Sequence, residues 1–215
     1  MKKVILFGDS ISSGYREYVK QALAGVAEIY YPTKANGAFA QNLLRFMNVW
    51  AEEEGFPRDA DLVHFNATLW DVLRIYGDDT LTSPEYYAEL LPRIVKRIKD
   101  IFPKAQIAFA TGTTVVEEDY EPPYARLNSD IEKFNSIALG VLSPLGVKID
   151  DLYSVTKNLP QGSEYRSDMT HFSTPQGVEL LGGTVVNFIC SVLSLPMPKP
   201  ILAVVPDIPP EILGN

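Results

Sequence analysis

A serine, a histidine and an aspartate are the residues of this sequence that could together perform nucleophilic chemistry. Ser10 lies in the small-residue turn Gly8-Asp9-Ser10-Ile11, which follows the first apolar run. A serine hydroxyl is a weak nucleophile until a base takes its proton, and histidine is the side chain that does this most readily near neutral pH. The chain contains 2 histidines, so the search for a base is short.

His171 is the better candidate for that base. It lies in a polar loop directly before the last predicted helix, three residues after Asp168. Asp168 can fold back to accept a hydrogen bond from Nδ1–H of the imidazole, which would fix the tautomer and leave Nε2 to face the serine. His64 instead lies within an apolar run, where a buried structural histidine is expected. The pattern predicts a catalytic triad of Ser10, His171 and Asp168.

The elements that must position these residues follow an α/β pattern. Short apolar runs predict five strands, at Val4–Phe7, Ala27–Tyr31, Leu62–Phe65, Ile107–Ala110 and Val147–Ile149. Longer stretches predict five helices, near Tyr15–Ala24, Phe39–Glu53, Pro84–Phe102, Leu127–Leu142 and Pro175–Leu193. The third helix is the clearest, because an N-cap serine precedes a proline at its first position. Such alternation predicts a parallel sheet with helices on both faces and functional residues at the carboxyl ends of the strands.

Length and composition limit the classes of function. The 215 residues fit one domain, assigned to 1–195, followed by a proline-rich tail, 196–215, that lies over the surface or reaches toward a neighbouring subunit of a homo-oligomer. A net charge of −8 argues against nucleic acid or an anionic membrane as a partner, because both require a basic face.

Targeting signals are not evident in the sequence. The apolar run after Lys2 and Lys3 is too short for a secretory signal, and no run approaches the roughly 18 apolar residues that a bilayer span needs. The single cysteine, Cys190, fits a reducing compartment and is expected to be a buried filler. A cytoplasmic location is therefore expected.

The residues singled out above resemble the sequence blocks of the SGNH (GDSL-type) hydrolases, and the resemblance covers nearly the whole chain. Gly8-Asp9-Ser10-Ile11 resembles the block of the nucleophile, and Asp168-Met169-Thr170-His171 resembles the final block, which supplies acid and base. Asn36-Gly37 resembles the second block, whose glycine N–H is an oxyanion donor. The resemblance implies a flavodoxin-like, three-layer α/β/α fold with a five-stranded parallel sheet, and ester hydrolysis without a metal or other cofactor.

The third block departs from the family's pattern. The family usually places Gly-x-Asn-Asp after the third strand, and the asparagine side chain completes the oxyanion hole. Here Thr68 stands at the glycine and Trp70 at the asparagine. The expected oxyanion donors are the N–H groups of Ser10 and Gly37, with the Asn66 amide favoured over the Trp70 indole as the third.

Other polar residues near these blocks are candidates for supporting roles. Asp9, Thr68 and Trp70 are candidates for substrate contacts, whereas Asp71 is expected to brace its loop. Two loops, 71–83 and 115–127, carry side chains that could stack on or hydrogen-bond a sugar, namely Tyr76, Tyr120, Tyr124 and Arg126.

The expected function is a serine esterase that works through an acyl-enzyme. No long apolar lid surrounds the motifs, which favours a short acyl group, most simply acetyl, and relatives of this subtype imply a small-molecule or oligosaccharide ester as substrate. The main alternative is a catalytically weak or inactive protein of this fold that binds carbohydrate or a protein partner, suggested by Thr68 and Trp70. A phosphate binder is disfavoured because Asp9 places a carboxylate where the anion would lie, and an acyltransferase with the same triad stays open.

Overall fold

A parallel sheet of five strands forms the centre of the protein, whose computed structural model describes residues 1–159, 164–199, 201–203 and 205. The strands of the described residues, in order, are β1 (Lys2–Phe7), β2 (Ala27–Tyr30), β3 (Leu62–Phe65), β4 (Arg74–Ile75), β5 (Gln106–Ala110), β6 (Tyr124–Ala125) and β7 (Lys148–Asp150). The sheet has the order β2-β1-β3-β5-β7, and β4 pairs with β6 in a separate antiparallel ribbon.

Helices cover both faces of the sheet. In chain order they are α1 (Ser10–Ala22), α2 (Ala40–Glu53), α3 (Pro84–Ile101), α4 (Asn128–Leu142), α5 (Leu152–Lys157) and α6 (Pro175–Leu193). Helix α1 packs against α6 on one side, and α3 packs between α2 and α4 on the other. The predicted three-layer α/β/α fold with a five-stranded parallel sheet is confirmed.

The central strands are continuous apolar runs because helices cover them on both faces. Val4–Phe7 of β1 is buried throughout, as is β3. The ring of Phe7 packs against those of Trp50, Phe56 and Phe102, with centroids 5.9–6.3 Å apart. The sheet is therefore a rigid base from which loops project at the carboxyl ends of the strands.

The structure corrects the start of the first helix, which begins at Ser10 rather than at Tyr15. Serine and glycine are weak helix formers, so the segment 10–14 reads as a loop in sequence. In the folded chain the Asp9 side chain accepts the N–H of Ile11 at 2.9 Å and caps the helix. The correction matters for function, because it places Ser10 at the first position of a helix that begins directly after β1.

Helix α6 is long and apolar enough to span a bilayer by length and composition alone, with a mean hydropathy of 1.4. The expectation that no segment reaches this length was therefore wrong on that criterion. Half of the helix is buried within the protein, where it packs against α1, and the core helix of a globular protein passes the same test.

The predicted tail is described only in part, and residues 200, 204 and 206–215 lie outside the described residues. Of the remainder, Ile201 and Ala203 pack against the core, and the buried Cys190 contacts the carbonyl of Pro196. The role of the tail stays a prediction.

Candidate active site

Three side chains predicted to react together do meet at the carboxyl end of the sheet. Nε2 of His171 lies 2.8 Å from Oγ of Ser10, across 161 residues of sequence, and Nδ1 lies 2.7 Å from Oδ2 of Asp168. An ionised carboxylate only accepts hydrogen bonds, so Nδ1 carries the proton and Nε2 is left to accept the serine hydroxyl. The arrangement is a continuous hydrogen-bonded relay from carboxylate to hydroxyl.

Asp168 is held in its ionised form by the loop around it. Burial alone would raise the pKa of this carboxyl, but hydrogen bonds from the His171 ring and from the N–H groups of Thr170 and His171 lower it to about 2. Both N–H groups lie 2.7 Å from Oδ1, which leaves Oδ2 for the imidazole. The loop therefore fixes both the charge and the direction of the carboxylate.

Ser10 is aimed at His171 by the turn that joins β1 to α1. A Cβ on Gly8 would lie 1.9 Å from Oδ1 of Asn66, so glycine is the residue that fits there. Asp9 caps the helix and is fully buried, which raises the pKa of its carboxyl against the opposing effects of the Asn66 amide and the Ile11 N–H. Asp9 was predicted to contact substrate; its side chain is fully buried in this structure, and that role stays a prediction.

The predicted oxyanion donors are only partly in place. The N–H of Ser10 lies in the first turn of α1, where no earlier carbonyl of the helix can accept it and the helix dipole favours negative charge. The N–H of Gly37 instead donates to the carbonyl of Gly8 at 2.6 Å. The Gly37 N–H was expected to be free to bind the oxyanion. The structure corrects this, because that N–H already donates to the backbone of the first block.

The two candidates for the third donor lie at different depths. Asn66 is buried against Gly8, and its Oδ1 has no hydrogen-bond partner among the described residues. Trp70 is half-buried at the rim, where its ring lies 5.5 Å from that of Phe39. Asn66 is therefore the candidate beside the Ser10 turn, and its role as a donor stays a prediction.

Thr68, a predicted substrate contact, is buried and hydrogen-bonded within the protein. It is 1% exposed, and its hydroxyl lies 2.5 Å from the carbonyl of Ala67 and 3.2 Å from the hydroxyl of Tyr87. The Thr68 side chain also packs against Gly112, and the predicted substrate contact stays a prediction.

Asp71 braces the third block, as expected. Its carboxylate accepts the N–H of Ala40, the first residue of α2, at 3.0 Å and the hydroxyl of Thr82 at 2.7 Å. Burial raises the pKa of this carboxyl to about 6, although both hydrogen bonds oppose the rise. The brace therefore joins the third block to the start of α2, which follows the second block by three residues.

The raised pKa of Asp71 predicts a specific pH dependence of stability. The folded protein holds the Asp71 proton more tightly than the unfolded chain, whose pKa is near 3.8, so this contribution to stability is full below that value and is lost as pH rises through about 6. Two pKa units correspond to about 3 kcal/mol. Between pH 4 and 7.5 the free energy of unfolding of Asp71→Asn should therefore rise by up to that amount relative to wild type in urea titrations. A difference that does not change with pH would contradict this.

The second histidine belongs to the core, as the sequence indicated. Nε2 of His64 lies 2.9 Å from Oδ2 of Asp150, and both side chains are buried. This second His–Asp pair approaches no serine in the described hydrogen bonds, and it offers a matched control for the first. In the described part of the chain no three metal-ligating side chains converge on one point.

A row of side chains in contact with one another ends at Thr170, the residue before His171, and we call it the aromatic wall: Phe39, Trp70, Arg126, Tyr120 and Thr170. The guanidinium carbon of Arg126 lies 6.0 Å from the centroid of the Trp70 ring and 5.8 Å from that of the Tyr120 ring. The Tyr120 hydroxyl reaches Thr170, next to the base, at 2.5 Å. The sequence singled out the tyrosine and the arginine, but carried no signal for Phe39 or Thr170, whose contacts are long-range.

The remaining predicted sugar contacts lie outside this wall. Tyr76 and Tyr124 belong to or adjoin the β4–β6 ribbon and are 87% and 53% exposed. Their hydroxyls make no hydrogen bond within the described residues, so a role in binding carbohydrate stays a prediction.

Several solved structures resemble this one along most of its length. A lipase/acylhydrolase from Enterococcus faecalis is 22% identical with a TM-score of 0.70, covering 94% of this chain and 100% of that one. The acetyl xylan esterase AlAXEase is 15% identical with a TM-score of 0.67, covering 87% and 99%. The acetylxylan esterase Axe2 of Geobacillus stearothermophilus is 15% identical with a TM-score of 0.66, covering 87% and 94%.

Sequence comparison adds nothing to these likenesses, since no protein-family model and no curated protein matches the chain. The structural matches, which also include a GDSL-like lipase from Bacteroides thetaiotaomicron, agree with the observed sheet order and layers. The chain has the three-layer α/β/α fold of the SGNH (GDSL-type) hydrolases.

Proposed function

We propose that the protein is a serine ester hydrolase whose nucleophile is Ser10. The observation that carries this proposal is the relay of hydrogen bonds from Asp168 through His171 to Ser10, with distances of 2.7 and 2.8 Å. A nucleophile, a base and a group that orients the base are the components that acyl transfer requires. The two likenesses to acetyl xylan esterases and the one to an acylhydrolase support the same reaction class.

The first half of the reaction forms an acyl-enzyme. Oγ of Ser10 attacks the ester carbonyl carbon as Nε2 of His171 takes the hydroxyl proton, and Asp168 stabilises the resulting imidazolium. The tetrahedral intermediate collapses when the bond to the alcohol oxygen breaks and His171 gives its proton to that oxygen. Water then attacks the acyl carbon with His171 again as base, and Ser10 leaves with its proton restored.

Negative charge on the carbonyl oxygen needs donors that are already in place. The Ser10 N–H and the amino end of α1 supply one set, and we assign the Asn66 amide as the second donor because it lies against the same turn. Gly37 contributes only when its hydrogen bond to the Gly8 carbonyl opens. Each missing donor of this kind costs about 10²–10³-fold in kcat.

We assign a short acyl group, most simply acetyl, to the substrate. The names of two similar structures suggest acetylated carbohydrate as its source, and the aromatic wall gives a ring a surface to stack on.

A series of p-nitrophenyl esters from acetate to decanoate tests this assignment. We expect kcat/KM to be highest for acetate and to fall at least about tenfold by octanoate, since each added CH₂ needs apolar surface to bury it. The Ser10→Ala protein serves as the blank for hydrolysis that does not involve the serine. Highest activity on long chains would contradict the acyl assignment, and activity no higher than the blank would contradict the esterase.

A weak or inactive binding protein of the same fold is the second candidate. The occupied Gly37 N–H and the departure at Thr68 and Trp70 are the observations that favour it. Turnover with acetate well above the Ser10→Ala blank excludes this candidate.

A further inference from the structure

Arg126 is a positively charged side chain that is fixed by the backbone and by aromatic rings. Its Nε donates to the carbonyl of Leu69 at 2.6 Å, and its Nη1 donates to the hydroxyl of Tyr120 at 3.1 Å. The ring centroids of Trp70 and Tyr120 both lie within 6.0 Å of the guanidinium carbon. An arginine held at two points has lost most of its conformational freedom before any ligand binds, which favours specific recognition.

This charge has no acidic partner in the described part of the chain. No carboxylate there lies within 4.0 Å of Arg126, and its Nη2 makes no hydrogen bond to a described residue. Arg74, in the neighbouring ribbon, is by contrast paired with Asp130 at 2.7 Å. The chain carries 27 acidic residues against 19 basic ones, so the lack of an acid beside this arginine does not reflect a shortage of carboxylates.

The position of Arg126 is tied to the site through the aromatic wall. The Tyr120 hydroxyl accepts the hydrogen bond from Nη1 and forms another hydrogen bond with the hydroxyl of Thr170. Thr170 immediately precedes His171. On the other side, Trp70 packs against Phe39, near the second block. Burial raises the pKa of Asp9, the residue before the nucleophile. The charge of Arg126 is near enough to oppose that rise. The guanidinium is therefore linked to the loop that carries the base by one intervening side chain, Tyr120.

We propose that Arg126 binds an anionic group of the substrate, so that the preferred ester has a carboxylate on its alcohol portion. The inference rests on the proposed esterase function and names its substrate class. The leaving alcohol departs toward His171, which protonates it, and Arg126 is connected to the His171 loop through the Tyr120 hydroxyl, which hydrogen-bonds Thr170. A guanidinium with an unused Nη2 presents donors to a carboxylate in a fixed fork, which a neutral sugar hydroxyl matches less well.

The test compares two acetyl esters that differ in one group: an O-acetylated methyl glucuronoside and the equally acetylated methyl glucoside. We expect wild type to prefer the acid at least about tenfold in kcat/KM, mainly through KM, because a hydrogen-bonded charge pair commonly contributes that much. Arg126→Gln should bring the ratio close to one by raising KM for the acid. Arg126→Lys should keep part of the preference, and 0.5 M salt should reduce it.

Arg45→Gln is the matched control. Arg45 is an exposed arginine of α2 that has no ion pair within the described residues, and its removal changes the net charge by the same amount. This variant should keep the wild-type preference for the acidic ester. A general effect of net charge would instead reduce the preference equally in Arg45→Gln and Arg126→Gln.

Binding of both esters to the Ser10→Ala protein, measured by calorimetry, separates this inference from the esterase proposal. Tighter binding of the acid that disappears with the added Arg126→Gln change supports the inference whether or not wild type hydrolyses p-nitrophenyl acetate, the assay that decides the esterase proposal. Equal binding of the two esters, or a preference that survives Arg126→Gln, overturns the inference.

Discussion

Replacing His171 by glutamine is expected to lower kcat for acetyl-ester hydrolysis by about 10⁴–10⁶-fold. Nε2 of His171 is 2.8 Å from Oγ of Ser10, and Ser10 makes no hydrogen bond to another base in the described chain. Glutamine keeps a polar side chain of similar reach but cannot take a proton at neutral pH. KM should change little, because the imidazole moves protons rather than holding the substrate, and steady-state kinetics on p-nitrophenyl acetate measures both constants.

The core pair provides the control for this variant. His64 and Asp150 form a buried contact of similar length, 2.9 Å, on the sheet itself. His64→Gln should lower the free energy of unfolding by about 1–3 kcal/mol, since it leaves Asp150 buried with a poorer partner, while kcat of the folded protein stays near wild type. A similar loss of kcat in both variants would mean that the effect of His171→Gln is structural.

Replacing Asp168 by asparagine is expected to lower kcat by about 10³–10⁴-fold with little change in KM. The amide oxygen can keep the two N–H hydrogen bonds from Thr170 and His171, so the loop should hold its shape. The amide nitrogen then faces Nδ1 and donates to it, which places the ring proton on Nε2. A protonated Nε2 cannot accept the proton of Ser10, and the serine stays a weak nucleophile.

Asp150→Asn is the matched change for this prediction, since it alters the other His–Asp pair in the same way. Asp168→Asn should show the full fall in kcat of about 10³–10⁴-fold, whereas Asp150→Asn should melt at a lower temperature than wild type and keep a kcat near wild type. A fall of less than tenfold in Asp168→Asn would show that the carboxylate does not set the tautomer of His171.

Much of the fold follows from local patterns that the sequence displays. The bounds of β3 and α6 agree with the prediction because both are determined locally. A continuous apolar run defines β3, and the Thr174-Pro175 start defines the beginning of α6. The short helix α5 was missed although Asp151 caps it locally, whereas the missed strands β4 and β6 depend on partners far away in the chain. The β4–β6 ribbon pairs two residues with two others about fifty positions later, and neither strand has a pattern of its own.

The candidate site divides in the same way. The Asp168–His171 contact is local, and the meeting of His171 with Ser10 follows from the rule that parallel strands bring their carboxyl ends to one edge. The closure of Gly37 onto Gly8 and the burial of Thr68 had no local signal, because each is set by how closely two loops approach. The resemblance to the family's sequence blocks therefore assigned roles to Gly37, whose N–H is already hydrogen-bonded, and to Thr68, whose side chain is buried.

Covalent labelling by a fluorophosphonate, with the modified peptide located by mass spectrometry, tests most directly whether the relay activates one hydroxyl. Wild type should gain a single adduct on Ser10, and Ser10→Ala and His171→Gln should gain none under the same conditions, whereas His64→Gln should label like wild type. No adduct on the wild-type protein, or an adduct on another serine, would contradict the proposal that Asp168 and His171 make Ser10 a nucleophile.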